Sequence, residues 1–247
     1  MHWRTHCYSC ELARGAVLFA LSAIVLASSS GCRISANGHN VDGVRSYQVG
    51  EYQKAIQSFQ QALIDDPDNS DAYYNLAATY YDLGKRNADR SLLAQAEGLY
   101  HQCLDLKPDH TACYRGLAAL LVDTNRPDSA FTLLQRWSQR SHDLAEPRIE
   151  LARLYQEFGD RESAVRYLTD ALNVDSANPR AWTALGQIRE QQGQLAQALS
   201  NYEQAFNLNN FQPGLAQHIA TLQRQIVPGS LTPQGTQIVT QPSGIPR

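Results

Sequence analysis

Between residues 36 and 227 the apolar positions come in short bursts at helical spacing, and a Gly or Asn interrupts each pair of bursts. Leu151, Ala152 and Tyr155 are followed, past Gly159, by Ala164, Leu168 and Ala171; Trp182, Leu185 and Gly186 are followed, past Gly193, by Ala198, Tyr202 and Ala205. Steps of three and four place each set on one stripe of an α-helix, with polar residues on the opposite face. The pattern therefore predicts helix, turn, helix. The pairs also keep a fixed period. Leu117, Leu151 and Leu185 fall 34 residues apart, as do Asn125, Gly159 and Gly193 and the alanines Ala130, Ala164 and Ala198. A period of this size means one supersecondary unit used several times, each copy burying its apolar face against the next.

The signature within the period, Trp182, Leu185-Gly186, Ala198, Tyr202 and Ala205, resembles that of the tetratricopeptide repeat, and the likeness runs through residues 36–212. The resemblance implies an all-α fold, a right-handed α-solenoid of helical hairpins whose first helices line a concave groove. The side-chain sizes agree with it. Ala198 and Ala205 let two helices approach closely while Tyr202 fills the space between them.

Five copies can be placed, at about 36–69, 70–110, 111–144, 145–178 and 179–212. The first has a clear second helix through Tyr52, Ala55, Phe59 and Ala62, but Asn-Gly-His-Asn-Val-Asp-Gly is a poor first helix and its start is expected to fray. The second carries seven extra residues around Lys85–Ser91, which suit a longer loop or an extra helical turn starting at Asp89. In the third, Trp137 occupies a slot that is otherwise Ala, so its indole must widen the packing or turn outward. Pro213, Leu215, Ile219 and Leu222 predict a capping helix at 213–227 with a polar outer face. From 228 to 247 Pro, Gly, Gln, Ser and Thr dominate and a disordered tail is expected.

The N-terminus reads as an address. Arg4 and Arg14 flank the start of an apolar run from Ala16 to Ala27, too short for a bilayer span. Ser28-Ser29-Ser30-Gly31-Cys32 follows and resembles the processing site of bacterial lipoproteins, although Ser29 stands where Leu is usual. Residues 1–31 are thus expected to be a signal peptide, Cys32 the acylated first residue, and 32–40 a linker that leads into a repeat domain at 41–227. That implies an exported protein held at the membrane of the bacterial cell envelope. Ordinary small-residue cleavage near Ala27 to Ser30, giving a soluble periplasmic or secreted form, and an uncleaved anchor are the alternatives.

Candidate chemistry changes the picture little. Cys7-x-x-Cys10 beside His2 and His6 precedes the expected cleavage and would be discarded. Cys103 takes a small core slot and Cys113 starts the next helix, so a bridge across the Pro108 turn and a pair of buried free thiols both stay open. His101, Cys103, His110 and Cys113 look like zinc spacing, but His101 and Cys103 are two apart on a helix and diverge by about 200°. No metal or other cofactor is expected. Ser141-His142-Asp143 is contiguous, whereas a catalytic triad converges from separate elements, and neither a phosphate loop nor an HExxH occurs. The chain reads as non-enzymatic. A net charge of −3 with interspersed signs gives no footprint for nucleic acid.

The expected partner is a protein or peptide segment. The family's groove places Tyr74, Ala78 and Tyr81 on the concave face, then Arg115, then Ile149, Arg153 and Gln156, then Arg180, Thr183 and Gln187, with Asp82, Asp123 and Glu157 along one rim. Tyr74, Tyr81, Arg115, Ile149, Arg153 and Arg180 are the candidate contacts, since aromatics and arginines dominate binding energy. The competing reading has Arg115 and Arg153 merely paired with Asp123 and Glu157 across adjacent helices. Only Asn75 matches the family's clamp for chaperone tails, with Ala112 and Gly116 in place of its basic residues, which disfavours that ligand. The resulting expectation is an envelope adaptor. An assembly factor for a pilus or secretin machine and a self-associating architectural protein are the alternatives.

Overall fold

The computed structural model describes residues 35–226, and the expected signal peptide, Cys32 and the tail at 228–247 lie outside them. Among the described residues there are eleven helices and no strand. They are α1 (35–48), α2 (Tyr52–Asp65), α3 (Ser70–Asn87), α4 (Arg90–Leu106), α5 (Thr111–Asp123), α6 (Pro127–Arg140), α7 (Glu146–Glu157), α8 (Arg161–Val174), α9 (Pro179–Gln191), α10 (Leu195–Leu208) and α11 (Pro213–Ile226). The chain divides into two compact units at Ser141/His142. The first holds three hairpins, α1/α2, α3/α4 and α5/α6; the second holds α7/α8 and α9/α10 followed by α11.

Local chemistry sets the ends of these helices. Asn69, Asp89, Asp160 and Asn178 each accept a backbone N–H of the first turn they precede, which satisfies donors that the helix itself cannot. Asn125, Gly159 and Gly193, the turn residues of the 34-residue period, all have positive φ, at 60°, 82° and 74°. That conformation reverses the chain tightly between the two helices of a hairpin.

The first helix departs from the expectation of a frayed start and of a linker reaching residue 40. Residues 35–48 are helical, and Ala36 is fully buried. The glycine that argues against a helix is there for packing. A Cβ on Gly43 would come within 2.4 Å of the Phe59 ring of α2, so only Gly admits that ring. The polar residues also find partners. Asn75 on α3 donates its amide to Asn40 Oδ1 at 2.9 Å, and the Tyr47 hydroxyl donates to the Asp82 carboxylate. The Asn75 side chain, the one match to the chaperone clamp, is thereby committed within the fold.

The extra residues of the second repeat lengthen its helices, not its loop. α3 has 18 residues and α4 has 17, and only Ala88 and Asp89 separate them. Trp137 stays inside. Its indole is 1 % exposed, stacks on Tyr114 with ring centroids 4.1 Å apart, and donates Nε1–H to Asp109 Oδ1 at 2.9 Å. Cys103 and Cys113 form a disulfide that joins α4 to α5, which settles the alternative left open by the sequence.

In the second unit, Ala152, Ala164, Leu168, Ala171, Ala181, Leu185 and Ile188 form one buried cluster. The alanines set the helix separation there, since each is fully or almost fully buried. α11 closes the unit by laying Ile219 and Leu222 against Ala198 and Tyr202, with Gln217, Gln223 and Arg224 exposed. This is the arrangement of a cap.

Candidate interaction surface

In the second unit the first helices of successive hairpins, α7 and α9, lie side by side. Ile149, Arg153 and Gln156 recur at steps of four and three on α7, and Arg180, Thr183 and Gln187 at three and four on α9, so each triplet shares one helical face. All six line one cavity of about 460 Å³. Its apolar lining comes from Ile149, Ala152, Leu168 and Ala184, and the polar rim adds Asn209 and Gln212 from the connection between α10 and α11. A volume in this range suits a few side chains of a bound segment.

The charge that organises this cavity is Glu150, which sequence reasoning missed. Its carboxylate is buried, receives Arg180 Nη2 at 2.7 Å from α9 and Arg153 Nε at 3.2 Å from its own helix. A carboxylate buried this deeply requires such partners, because desolvating it alone would be costly. Arg153 Nη1 also reaches Glu157 Oε2 at 3.2 Å, within α7 and not across helices as the competing reading had it. Its remaining nitrogen, Nη2, is buried and has no hydrogen-bond acceptor among the described residues. The Arg153 and Arg180 side chains are nonetheless part-exposed, at 38 % and 45 %, so the cavity presents two guanidinium groups beside its apolar wall. The signal in the sequence was Glu150 amid the apolar run Ile149, Leu151 and Ala152, three residues before an arginine.

The first unit treats its candidate residues differently. Tyr74 is half-buried, with its ring 5.5 Å from that of His110 and 6.3 Å from that of Tyr100. The Tyr81 hydroxyl donates to the Asp123 carboxylate on α5, which also receives Lys85 Nζ at 2.5 Å. Burial pushes the Asp123 carboxyl up, but the bonds from Lys85 and Tyr81 outweigh it and hold it below the usual carboxylate range. Both tyrosines are thus held by neighbours on other helices instead of projecting freely. Arg115 is exposed on α5. A second cavity of about 610 Å³, within this unit, is lined by His101, Tyr114, Leu133, Arg136, Trp137 and Arg140 on α4, α5 and α6. The indole in the alanine slot was its only sequence signal.

Paired antiparallel helices, a residue period of 34 and a cap on one end define a helical-repeat protein that works by offering surface. Sequence models of the tetratricopeptide repeat match residues 43–84, 88–147 and 149–207, and the chain belongs to that family. No curated protein matches it. Among solved structures, the thermophilic TPR protein TTC0263 of Thermus thermophilus is 23 % identical over 76 % of this chain and 98 % of its own, with a TM-score of 0.57. Pseudomonas aeruginosa pilF is 16 % identical over 81 % of this chain and 96 % of its own, with a TM-score of 0.50. At these identities the likeness concerns the fold. Repeats of this family are in general non-enzymatic interaction modules, and the chain is a protein–protein interaction scaffold.

Proposed function

We propose that this scaffold is an adaptor of the bacterial cell envelope, exported by residues 1–31 and anchored through acylated Cys32, which captures an acidic protein segment in the cavity between α7 and α9. The observation that carries the binding reading is the pair of part-exposed guanidinium groups, Arg153 and Arg180, that the α7–α9 cavity sets beside an apolar wall. An Asp or Glu of the partner pairs with the exposed edges of Arg153 and Arg180, and the apolar wall at Ile149 and Ala184 takes a neighbouring side chain. Binding energy concentrates on such a charged and apolar centre while the amide rim excludes water. The anchor reading rests on the Gly31-Cys32 junction behind a short apolar run.

The binding half is tested on an array of envelope-protein peptides, each acidic peptide paired with its Asn/Gln counterpart. Acidic members should bind better, and Ile149→Ala/Arg153→Ala should lose at least about tenfold in affinity, since hot-spot truncations exceed roughly 1 kcal/mol. Equal binding of acidic and amide peptides would reject the site. The anchor half is tested by fractionation: Cys32→Ala should free the protein from membranes, and unchanged retention would reject acylation.

A further inference from the structure

The turn between α4 and α5 gathers three ligand-type side chains that the interaction surface does not use. Cys103 lies in the last turn of α4, Cys113 in the first turn of α5, and His110 is the N-cap of α5. All three are buried and their donor atoms lie within 4.8 Å of one another. We propose that in the reduced chain these residues form a binding site for a thiophilic divalent ion of the zinc type, which the disulfide closes when it forms.

The hydrogen bonds around His110 prepare it as a ligand. Its Nε2 lies 3.0 Å from Asp71 Oδ1 on α3, so the carboxylate takes the Nε2 hydrogen and leaves the lone pair on Nδ1, the atom beside the Cys113 backbone N–H. A carboxylate behind the imidazole is the arrangement that orients metal-bound histidines. Nδ1 accepts the Cys113 backbone N–H at 3.2 Å, but that N–H also reaches the His110 carbonyl at 3.0 Å. Giving the lone pair to an ion therefore orphans no donor.

Charge selects the ion. Two thiolates and one divalent cation sum to zero, whereas a monovalent ion would leave a net charge in a buried place. Bonds of about 2.3 Å to sulfur and 2.0 Å to nitrogen put tetrahedral donor atoms about 3.5 to 3.8 Å apart, a spread that side-chain rotation reaches once the sulfurs separate. His101 is exposed, lies outside this cluster and takes no part. Opening the site needs a dithiol reductant, which gives two electrons and two protons to the S–S bond and becomes a disulfide itself. The ion then binds both sulfurs and releases their two protons.

The test uses the full chain with Cys7, Cys10 and Cys32 replaced by Ser, so that only two sulfurs of cysteine remain. Zn(II) is titrated against a chromophoric chelator before and after reduction. The reduced chain should take up one Zn(II) with a Kd below about 1 μM, and the oxidised chain none. His110→Asn keeps a good N-cap acceptor and should fold by circular dichroism, yet bind at least about tenfold more weakly. His101→Ala should bind as the parent does. Absence of one-to-one uptake by the reduced chain, or equal affinity in folded His110→Asn, would overturn the site.

Discussion

Replacing a helical glycine by alanine ordinarily stabilises, and the first unit offers two positions where the same substitution should act in opposite directions. Gly98 lies on the exposed face of α4, and a Cβ there meets nothing within 4 Å. Gly98→Ala should gain about 0.5 to 1 kcal/mol from the smaller loss of backbone freedom. At Gly43 the same gain is available, but the Cβ would sit 2.4, 2.6 and 2.9 Å from three atoms of the Phe59 ring. Phe59 is 1 % exposed among Ala55, Ile56 and Leu76, so its ring has no free space to enter. Overpacking of this kind costs about 1 to 3 kcal/mol. Gly43→Ala should therefore come out destabilised by up to about 2 kcal/mol, and the two variants should differ by about 1 to 3 kcal/mol. With a urea slope of roughly 2 kcal/mol/M the midpoints separate by about 0.5 to 1.5 M, readable by far-ultraviolet circular dichroism. Equal stabilisation by both substitutions would mean that α1 does not pack on Phe59, and would restore the frayed start that its composition suggests.

Ala171 is fully buried in the alanine-lined core of the second unit, so Ala171→Leu should cost about 1 to 3 kcal/mol in a denaturant melt, while Lys85→Ala, which removes a half-exposed ion pair with Asp123 and an exposed contact with the Tyr81 ring, should cost under about 1 kcal/mol. Reducing the Cys103–Cys113 bridge, which spans a sequence separation of 10, should lower stability by about 2 to 3 kcal/mol, and a melt unchanged by reductant would show that the bridge does not form. Hydrogen bonds from Ser141 and Trp137, then the Arg140 guanidinium, hold the Asp109 carboxyl below its usual range. Because the folded form is the more acidic one, this contribution is present above the ordinary carboxylate pKa and fades as pH falls through the lowered one. An acid titration followed by tryptophan fluorescence should lose part of its low-pH slope in Asp109→Asn; an unaltered profile would contradict the assignment.

Periodicity carried much of this architecture. The stripe at steps of three and four fixed the helices, the interval of 34 fixed the hairpin, and Asn125, Gly159 and Gly193 marked its turns, because each is a local property of a chain that must bury one face and reverse direction. Of the candidate contacts, Ile149, Arg153 and Arg180 are brought to one cavity, for helical phase alone decides which residues of α7 and α9 share a face. Tyr74 and Tyr81 illustrate the limit. Phase put them on a face, but His110 lies 36 residues beyond Tyr74 and Asp123 lies 42 beyond Tyr81, and these distant neighbours decide how the rings are held.

Burial partners were what the sequence by itself did not determine. Gly43 reads as a helix breaker until Phe59 arrives above it, and Trp137 reads as an intruder until Tyr114 and Asp109 receive it. Glu150 reads as a surface charge; only the approach of Arg180 from the next hairpin makes its burial tolerable. The disulfide likewise depends on α4 and α5 closing across the Pro108 turn until the two Cα atoms stand 6.7 Å apart. In each case local pattern states what a residue tends to do alone, whereas its final role depends on desolvation and steric fit supplied by residues far along the chain, and those exist only once the helices have packed.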